Sequence, residues 1–566
     1  MEKQLNLADY LVFLVYFIGV AAYGWWIYSR KRHEQASTKD YFLAEGSLTW
    51  WAIGASLIAS NISAEQFIGM SGNGFYLGIA IAAYEWLAAI ALIIVAVFFM
   101  PVYLKNHIYT MPQFLKTRYN ETASLIMAVF WLFLYVLVNL TSILFLGTLA
   151  INNLVGGGAF HMILIALAVF ALIITLGGMK VIGFTDVIQV LVLIIGGLAT
   201  TYLALTLVSE HFGMGQNALT GFNLLLEKAD DHFHMMFDKP TAASSQEDIN
   251  KYLLLPGIAM YIAGQWVVNL NYWGCNQYIT QRALGADLQT ARTGIMFAGF
   301  LKLLMPVVVM LPGIAAYVLY QDGQLQAQMT AGGALNPDNA YSAILTFLPN
   351  GLKGLAMAAL TAAIVASLAG KANSISTIFT LDLYKNYIKK DATEKQLVQV
   401  GRVTILVAMI MAVLLTWQDT LGIGGTGGFT FIQKYTGYIS PGVFAMFLLG
   451  MFWKRTTGAA AVAGLLTGFG LSVFFNEFAP RVFGPETWFY TAYLNGKGVY
   501  EIPFLLCMGL AFGFTVALMV IMSLFGPKEN PKAFQIDTAM FKLKPATLIM
   551  VVLILLAISA LYIRFW

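Results

Sequence analysis

The stretch Ala59–Met70, ASNISAEQFIGM, decides the fold of this chain. It begins inside an apolar run that starts near Leu48 and is long enough to cross a bilayer, yet polar side chains crowd the positions from Ser60 to Gln66. Polar groups at that depth are costly unless they face a protein-lined cavity. Because Gly69 and two further glycines follow, the pattern predicts a transmembrane helix interrupted at mid-depth, where freed carbonyls can coordinate a cation. The alternative interpretation is a glycine-rich packing seam.

Composition identifies a polytopic membrane protein. The 566 residues are 59% hydrophobic and 11% charged, with a mean hydropathy of +0.74, whereas soluble domains carry about 25% charged residues. The net charge of +4 follows from basic loops and implies no nucleic-acid partner. Cys275 and Cys507 lie in apolar segments, so no disulfide framework is predicted. The N-terminus lacks a basic region and a cleavage site, so the first apolar run is predicted to be a retained helix.

Apolar runs of sufficient length predict about fourteen transmembrane helices. These predicted spans lie near residues 8–29, 48–73, 78–104, 122–153, 159–178, 183–207, 253–281, 291–320, 350–384, 400–417, 429–452, 457–476, 502–525 and 546–565.

The placement of lysine and arginine predicts the orientation. Alternate loops, beginning with the loop after span 1, carry 21 basic residues, and the loops and termini on the opposite side carry 8. The first side is therefore predicted to be cytoplasmic, with both termini outside. The acidic outer loop at about 208–252 is interpreted as a solvated surface.

A second interrupted segment mirrors the first. Span 7 contains Tyr261–Arg282, YIAGQWVVNLNYWGCNQYITQR, in which amide side chains surround Gly274. Spans 2–6 and 7–11 run in opposite senses, and each group opens with a broken helix. This pattern is typical of an inverted-repeat transporter whose site lies at the bilayer midplane. We therefore predict one all-α domain over 1–566, with repeats at 48–207 and 253–452 and peripheral helices at 1–30 and 457–566.

Further polar residues interrupt the other spans of the two repeats. They are Tyr84, Glu85, Asn139, Thr141, Lys302 and Gln433. Each alone could make an inter-helix hydrogen bond, worth about 0.6 kcal/mol, but their joint occurrence favours a binding site. One acid, one base and several amides suit a neutral polyhydroxyl ligand better than a strongly anionic one. Nearby aromatic residues, including Tyr272 and Phe429, could stack on a sugar or act as thin gates.

At these residues the chain resembles the sodium/solute symporter family, and within it the sodium/glucose cotransporter branch with its bacterial galactose-transporting members. The matching stretches, which with the span layout cover nearly the whole chain, are WWAIGASLIASNISAEQFIGMSGNG, AAYEWLAAIALIIV, FWLFLYVLVNLTS, FTDVIQV, NYWGCNQYITQR, VVMLPGIAAYV and IQKYTGYISPG. The resemblance implies a LeuT-like five-plus-five fold and sodium-coupled import of a neutral monosaccharide by alternating access.

The resemblance also implies a set of sugar-site residues. Carried over by position, the sugar contacts are Gln66, Glu85, Asn269, Lys302 and Gln433, supported by Asn61 and Asn139, with Tyr84 beside them; the inner gate is Tyr272, and the outer lid is Met70 and Phe429. Two positions depart from the family pattern, because Ala88 replaces a serine of the galactose transporters and Thr430 replaces a glutamine. The substrate class is thus implied, but the individual sugar is left open.

The family's cation site falls on spans 2 and 9. The resemblance implies main-chain oxygens of Ala59, Ile62 and Ala363 and the hydroxyl of Ser367 as sodium ligands. The family has a second serine next to this one, and Ala366 occupies that position in this chain. Because sodium prefers hard oxygen ligands, the loss of one hydroxyl is expected to weaken binding unless water substitutes.

Lys371 lies one helical turn beyond Ser367. A lysine within a span costs about 2.5–3.5 kcal/mol, so it needs a partner. One interpretation is a lysine that snorkels to the membrane face. The other is that Lys371 reaches Asp186, which in the family lines the cation's exit path, and stands in for sodium. Transport would then be sodium-independent or proton-linked.

Other classes of function are disfavoured. A sensor lacks an appended signalling domain, a channel needs a continuous polar lining, and an enzyme needs a paired carboxylate, metal cluster or nucleophile motif in an aqueous segment. Polyols and other small solutes remain alternative substrates. We expect a plasma (inner) membrane location, with a sugar and the lipid bilayer as partners and no obligate protein partner.

Overall fold

The computed structural model describes residues 6–30, 41–42, 48–63, 65–155, 158–331, 334–349, 351–421, 423 and 428–566. These residues are mostly helical. The only strands among them form two short antiparallel hairpins, in which β1 (Thr330–Ala331) pairs with β2 (Ala334–Leu335) and β3 (Tyr493–Leu494) pairs with β4 (Tyr500–Glu501).

The chain divides into two compact units. Unit A comprises Met1–Ile81, Phe130–Phe233 and Gln281–Ile432, and unit B comprises Ala82–Val129, His234–Thr280 and Gln433–Trp566. Each unit contains segments from both predicted repeats. The two compact units therefore do not coincide with the two predicted repeats. The repeats remain a prediction.

The α-helices of the first half of the chain are numbered in order. They are α1 (Leu7–Arg30), α2 (Trp50–Asn61), α3 (Ser71–Leu77), α4 (Ala83–Ile94), α5 (Met100–Lys105), α6 (Met111–Arg118), α7 (Glu121–Phe133), α8 (Thr141–Leu154), α9 (Phe160–Leu176), α10 (Met179–His211), α11 (Ala218–Lys228), α12 (Gln246–Leu254), α13 (Gly257–Ile262), α14 (Gln265–Cys275) and α15 (Gln277–Leu284).

The second half continues this numbering. Its helices are α16 (Leu288–Val309), α17 (Leu311–Gln321), α18 (Gln326–Met329), α19 (Ala340–Leu345), α20 (Leu352–Thr377), α21 (Glu394–Thr416), α22 (Gly428–Phe452), α23 (Gly458–Val473), α24 (Ala479–Phe483), α25 (Phe504–Leu524) and α26 (Pro545–Phe565). Wider π-helical turns lie at Glu65–Met70, Val95–Phe99, Leu134–Leu140, Ile378–Ile388 and Phe474–Phe478, and 3₁₀ turns at Gly78–Ala82, Asp230–His232, Pro337–Asn339 and Thr538–Phe541.

Within the described ranges, eleven helices are long and apolar enough to cross a membrane, or twelve if one bent pair counts as a span. The sequence predicts about fourteen. Three of the predicted spans account for the difference. Helix α9 has only 17 residues and α2 only 12, so neither is long enough to count as a span. The third is the bent pair, in which the helices at 246–262 and 265–275 meet at an angle of 77°. The multi-pass class is confirmed, whereas the exact number of spans stays a prediction.

Both predicted interruptions are present in the structure. Helix α2 ends at Asn61, and Ile62 adopts an extended conformation with φ −82° and ψ 110°. Helix α14 ends at Cys275, and Asn276 is likewise extended, with φ −96° and ψ 124°. Each break leaves main-chain groups that need partners outside their own helix.

Helix α20 forms the centre of unit A. Every residue from Ala356 to Thr377 is buried, and α20 packs along α10 and also against α1, α2 and α9. Its many alanines allow neighbouring backbones to approach closely, as is usual between transmembrane helices. The interrupted helix α2 is thereby placed against α10, α16 and α20.

Candidate cation and sugar sites

The end of α2 meets α20 at the predicted cation position in unit A. The Ser367 hydroxyl donates a hydrogen bond of 2.7 Å to the main-chain oxygen of Ser60, within the last turn of α2. Ala59, Ile62 and Ala363, the other three predicted ligand residues, are buried on the same two segments. The structure therefore brings the segments that carry these residues together at the break.

The chemistry of this position fits a hard cation. The Ser60 hydroxyl oxygen is buried and has no hydrogen-bond partner among the described residues, so an unsatisfied oxygen lies beside the bond from Ser367 to the Ser60 carbonyl. Main-chain and hydroxyl oxygens of this kind are the ligands that hard cations prefer. Ala366 is also buried, and it contributes a methyl group where the family has a second hydroxyl.

A charged cluster lies next to this position. The Ser56 hydroxyl donates to Asp186 Oδ2 at 2.5 Å, and Arg282 Nε donates to Ser56 Oγ at 2.8 Å. Arg282 Nη2 lies 3.8 Å from Asp186 Oδ2, and both side chains are almost completely buried. A Cβ atom at Gly370 would lie 2.4 Å from Arg282 Nη2, so the glycine is what allows the guanidinium to lie against α20.

Sequence reasoning missed the role of Arg282. The charge pattern predicts that Arg282 is one of the cytoplasmic basic residues, but its side chain is only 1% exposed. The signal available was its position at the end of the second interrupted helix, where a long cation can turn back toward a buried acid. The contacts described for Asp186 include those with Ser56 and Arg282. Lys371 is 4% exposed and thus lies inside the protein; its predicted contact with Asp186 stays a prediction.

Unit A also contains four of the predicted sugar-site residues. Lys302, on α16, donates a hydrogen bond to the side-chain oxygen of Asn61, the last residue of α2. Gln66 follows in the π-helical turn Glu65–Met70, which packs against α16. Asn139 is buried in the π-helical turn Leu134–Leu140, and its Nδ2 has no hydrogen-bond partner within the described part of the chain. The structure brings Lys302 and Asn61 together at the first break. Met70, predicted as part of the outer lid, is buried in the same unit.

Unit B contains the remaining predicted sugar-site residues. Tyr84 and Glu85 are buried in the first turn of α4, which packs against α14. Helix α14 carries Asn269, whose Nδ2 donates to the Gln265 carbonyl at 2.9 Å. Gln433 lies on α22 and is half-buried. The candidates of this unit therefore lie on three helices, of which α4 and α14 are in direct contact.

The second break is surrounded by aromatic rings. Tyr272, the predicted inner gate, is half-buried, and its ring packs edge-on against those of Trp273 and Tyr278 at centroid distances of 5.2 and 5.7 Å. Asn271, one of the amides that marked this segment in the sequence, donates to the Ser440 hydroxyl at 3.0 Å and thus ties α14 to α22. The side chain of Phe429, the other predicted lid residue, lies outside the described residues.

A multi-pass helical protein with two interrupted helices, one of them ending against a buried hydroxyl, has the features of a secondary transporter. The chain belongs to the sodium:solute symporter family, whose profile matches residues 41–468.

Individual relatives agree with this assignment. The chain is 42% identical over 577 residues to the sodium/glucose cotransporter of Vibrio parahaemolyticus, covering 100% of this chain and 99% of that protein. It is 33% identical over 495 residues to the human sodium/myo-inositol cotransporter 2, covering 82% of this chain and 69% of the relative. These relatives are transporters, so the prediction that the chain is not an enzyme is confirmed.

A solved structure shows the same fold. A sodium-coupled sialic acid symporter, in a substrate-bound outward-open state, matches with a TM-score of 0.75 at 20% sequence identity, covering 93% of this chain and 99% of that one. At this identity the likeness establishes the fold, and it leaves the substrate open.

Proposed function

We propose that this protein imports a neutral monosaccharide of the glucose or galactose type together with sodium, by alternating access across the plasma membrane, with both termini outside. The observation that carries the proposal is the hydrogen bond from the Ser367 hydroxyl to the Ser60 carbonyl at the end of α2. It brings hard oxygen atoms together at a broken transmembrane helix, where such transporters bind their coupling ion. The name of the Vibrio relative supports the substrate class.

The proposed sodium ligands are the main-chain oxygens of Ala59, Ile62 and Ala363 and the hydroxyl of Ser367. Bound sodium would supply a fixed positive charge that joins the end of α2 to α20. In this proposal the Ser367 hydroxyl, which now donates to the Ser60 carbonyl, rotates to offer its lone pair to the ion. Asp186 is proposed to receive the ion on its way to the cytoplasm.

The proposed sugar contacts are side chains that donate to and accept from hydroxyl groups. They are Gln66, Glu85, Asn269, Lys302 and Gln433, with Asn61, Asn139 and Tyr84 in support, and with Met70, Tyr272 and Phe429 as gates. The hydrogen bond from Lys302 to Asn61 supports this set, because it places an ammonium group and an amide group, both able to bond to sugar hydroxyls, at the first break. A second candidate substrate is a cyclic polyol, which the name of the inositol-transporting relative favours.

A second candidate mechanism needs no sodium. Lys371 is buried on α20, the helix that carries Ser367, and Ala366 removes one expected hydroxyl. An ammonium group that reaches Asp186 would occupy the cation's exit path. This alternative predicts uptake that is sodium-independent, or that depends on pH if Lys371 titrates.

Uptake into proteoliposomes tests these proposals. Labelled glucose, galactose, myo-inositol and an anionic sugar are compared with a sodium gradient and with choline in place of sodium, each at two pH values. Sodium-dependent accumulation of a monosaccharide without a pH effect is the expected result. Equal uptake in choline would reject sodium coupling, and accumulation of inositol alone would reject the monosaccharide as substrate.

A further inference from the structure

A tyrosine that belongs to neither the proposed sugar site nor the proposed cation site fixes the end of the second interrupted helix. Tyr103, on α5 in unit B, donates a hydrogen bond of 2.7 Å from its hydroxyl to the main-chain oxygen of Gly274. Gly274 lies one residue before the end of α14, so its carbonyl is among those that the break deprives of a helical partner. Cys275, the last residue of α14, directly follows the residue whose carbonyl Tyr103 binds.

The backbone around this bond is tightly packed. A Cβ atom at Gly274 would lie 2.6 Å from Cδ2 of Phe99, so only glycine allows the break to lie against this ring. Tyr103 itself is completely buried, and its ring packs edge-on against Phe99 and Phe114 at 6.5 and 5.6 Å. The packing of the ring therefore holds the tyrosine hydroxyl at the Gly274 carbonyl, beside the break.

The other side of the break is anchored as well. Gln277, the first residue of α15, accepts a hydrogen bond of 2.7 Å at Oε1 from the main-chain N–H of Met111, the first residue of α6. Thus α14 is bonded to α5 by Tyr103, and α15 is bonded to α6 by Gln277. These two hydrogen bonds, here called the staple, hold both sides of the break. Their partners, Tyr103 and Met111, both lie in the part of the chain that follows α4.

We propose that Tyr103 is a positioning residue that sets the inner gate, and this inference rests on the proposed transport cycle. Tyr272 precedes Gly274 by two residues, so the gate ring is carried by the same turn whose carbonyl Tyr103 binds. A movement of the main chain at Tyr272 that carries the gate ring away from the solute changes the direction of that carbonyl. The bond to Tyr103 is then lost or remade in each cycle, and it favours the conformation described here.

A continuous stretch of helical turns also connects Tyr103 to one of the proposed sugar contacts. Glu85 lies in the first turn of α4, and a π-helical turn at Val95–Phe99 leads directly into α5 and Tyr103. Helix α4 itself packs against α14. A shift of this stretch in response to sugar at Glu85 would therefore move the hydroxyl that binds the Gly274 carbonyl.

The substitution Tyr103→Phe removes the hydroxyl and keeps the packing ring. Loss of one buried hydrogen bond shifts a two-state equilibrium by about fivefold. We expect the turnover rate for sugar to change by about that factor. The sugar KM should stay within roughly twofold of its original value, because the contacts described for Tyr103 are with Gly274, Phe99 and Phe114, none of which is a proposed sugar ligand.

The chain offers a matched control. Tyr119 is also buried in unit B, and its hydroxyl donates to the Met446 carbonyl at the same distance of 2.7 Å. Tyr119→Phe therefore removes an equivalent bond away from the break. Both variants should lose similar thermal stability, but only Tyr103→Phe should alter turnover.

A second readout does not depend on transport. In a Cys507→Ala background, Cys275 is the remaining cysteine and is completely buried, so its rate of modification by a membrane-permeant maleimide reports how often the break opens. Because the Tyr103 hydroxyl bonds to the carbonyl of the residue next to Cys275, amide hydrogen exchange of residues 277–284 is measured alongside. We expect both rates to rise about fivefold in Tyr103→Phe and to stay unchanged in Tyr119→Phe.

Gln277→Met gives an independent test of the staple, because it removes the acceptor for Met111 N–H at nearly constant side-chain size. It should speed maleimide labelling and hydrogen exchange in the same direction. Unchanged labelling and exchange in both staple variants, or an equal rise in Tyr119→Phe, would overturn the proposal. These measurements need no sugar, so a failure of the transport proposal itself would appear separately, as absent uptake by the unmodified protein.

Discussion

At the scale of single residues, the position of Ala366 makes a direct prediction. Ala366→Ser would restore a hydroxyl next to Ser367, whose own hydroxyl already lies at the end of α2. One added oxygen ligand, worth about 1 kcal/mol, should lower the sodium concentration for half-maximal uptake about fivefold. Sodium titration of sugar uptake measures this. Ala369→Ser, a buried substitution on the same helix, is the control, and an equal effect there would argue against a ligand role.

Arg282 gives a second prediction at this scale. Arg282→Gln would leave the fully buried Asp186 without its cationic neighbour, and an uncompensated buried charge costs about 3–5 kcal/mol. Sodium at Asp186 would replace part of the lost interaction. We therefore expect a large drop in melting temperature without sodium and a larger rise on adding sodium than in the unmodified protein.

The double variant Asp186→Asn with Arg282→Gln is the control for that experiment. It removes both charges, so its stability should recover and its response to sodium should be small. If Arg282→Gln melted like the unmodified protein in sodium-free buffer, the guanidinium would have no role in compensating Asp186.

Comparison of these residues shows what a sequence can reveal. Lys302 could be predicted because an ammonium group inside an apolar span has few harmless explanations, whereas Ser367 could be predicted only through the family resemblance. Arg282 could not, because a basic residue at the end of a span is normally a cytoplasmic anchor. Its burial depends on Gly370 and Ser56, which lie 88 residues after it and 226 before it. Such a contact is set by tertiary packing and leaves no local pattern.

At the scale of helices, α1 makes an unexpected contribution to α20. Asp9 is completely buried, and its Oδ1 accepts hydrogen bonds from the main-chain N–H groups of Gly351 at 2.7 Å and Gly354 at 3.0 Å. A carboxylate at a helix N-terminus satisfies free donors and interacts favourably with the helix dipole. The peripheral first helix thus caps the helix that carries Ser367.

Asp9→Ala should therefore destabilise the protein by about 1–3 kcal/mol, since it leaves buried donors unsatisfied. Asp9→Asn keeps an acceptor and should cost less. Thermal unfolding of the purified protein measures both, and sodium titration should show weaker binding in Asp9→Ala. A normal sodium affinity in a clearly destabilised Asp9→Ala would mean that this cap does not position the cation ligands.

The two interrupted helices also show which features of the fold can be predicted from local sequence patterns. The two breaks could be predicted because clusters of polar residues beside glycines are costly in an unbroken transmembrane helix. The partner of the first break, Ser367, lies 307 residues from Ser60 and could be predicted only through the family resemblance. The partner of the second break could not be predicted, because Tyr103 lies 171 residues from Gly274 and a tyrosine near the end of a span is not unusual. The sequence thus predicts that a helix is interrupted, whereas the tertiary structure determines which side chain bonds to the main-chain groups at the break.

At the scale of the whole molecule, the decisive quantity is the energy available for coupling. One positive charge that crosses about 100 mV releases about 2.3 kcal/mol, and a tenfold sodium gradient adds about 1.4 kcal/mol. At one sodium per sugar, these terms allow an accumulation of roughly 500-fold. In proteoliposomes with both gradients, we expect labelled sugar to concentrate far above the external level.

The two terms can be separated in the same vesicles. Replacing sodium by choline on both sides should leave slow equilibration without accumulation, because no ion then moves with the sugar. Imposing an inside-negative potassium diffusion potential at equal sodium should restore accumulation, to at most about 50-fold for 100 mV. Accumulation that follows the potential shows that net positive charge enters with the sugar. Uptake that responds to neither sodium nor potential would instead indicate that a fixed side chain such as Lys371 has replaced the mobile ion, since a charge that stays on the protein and returns with it transfers no net energy to the solute.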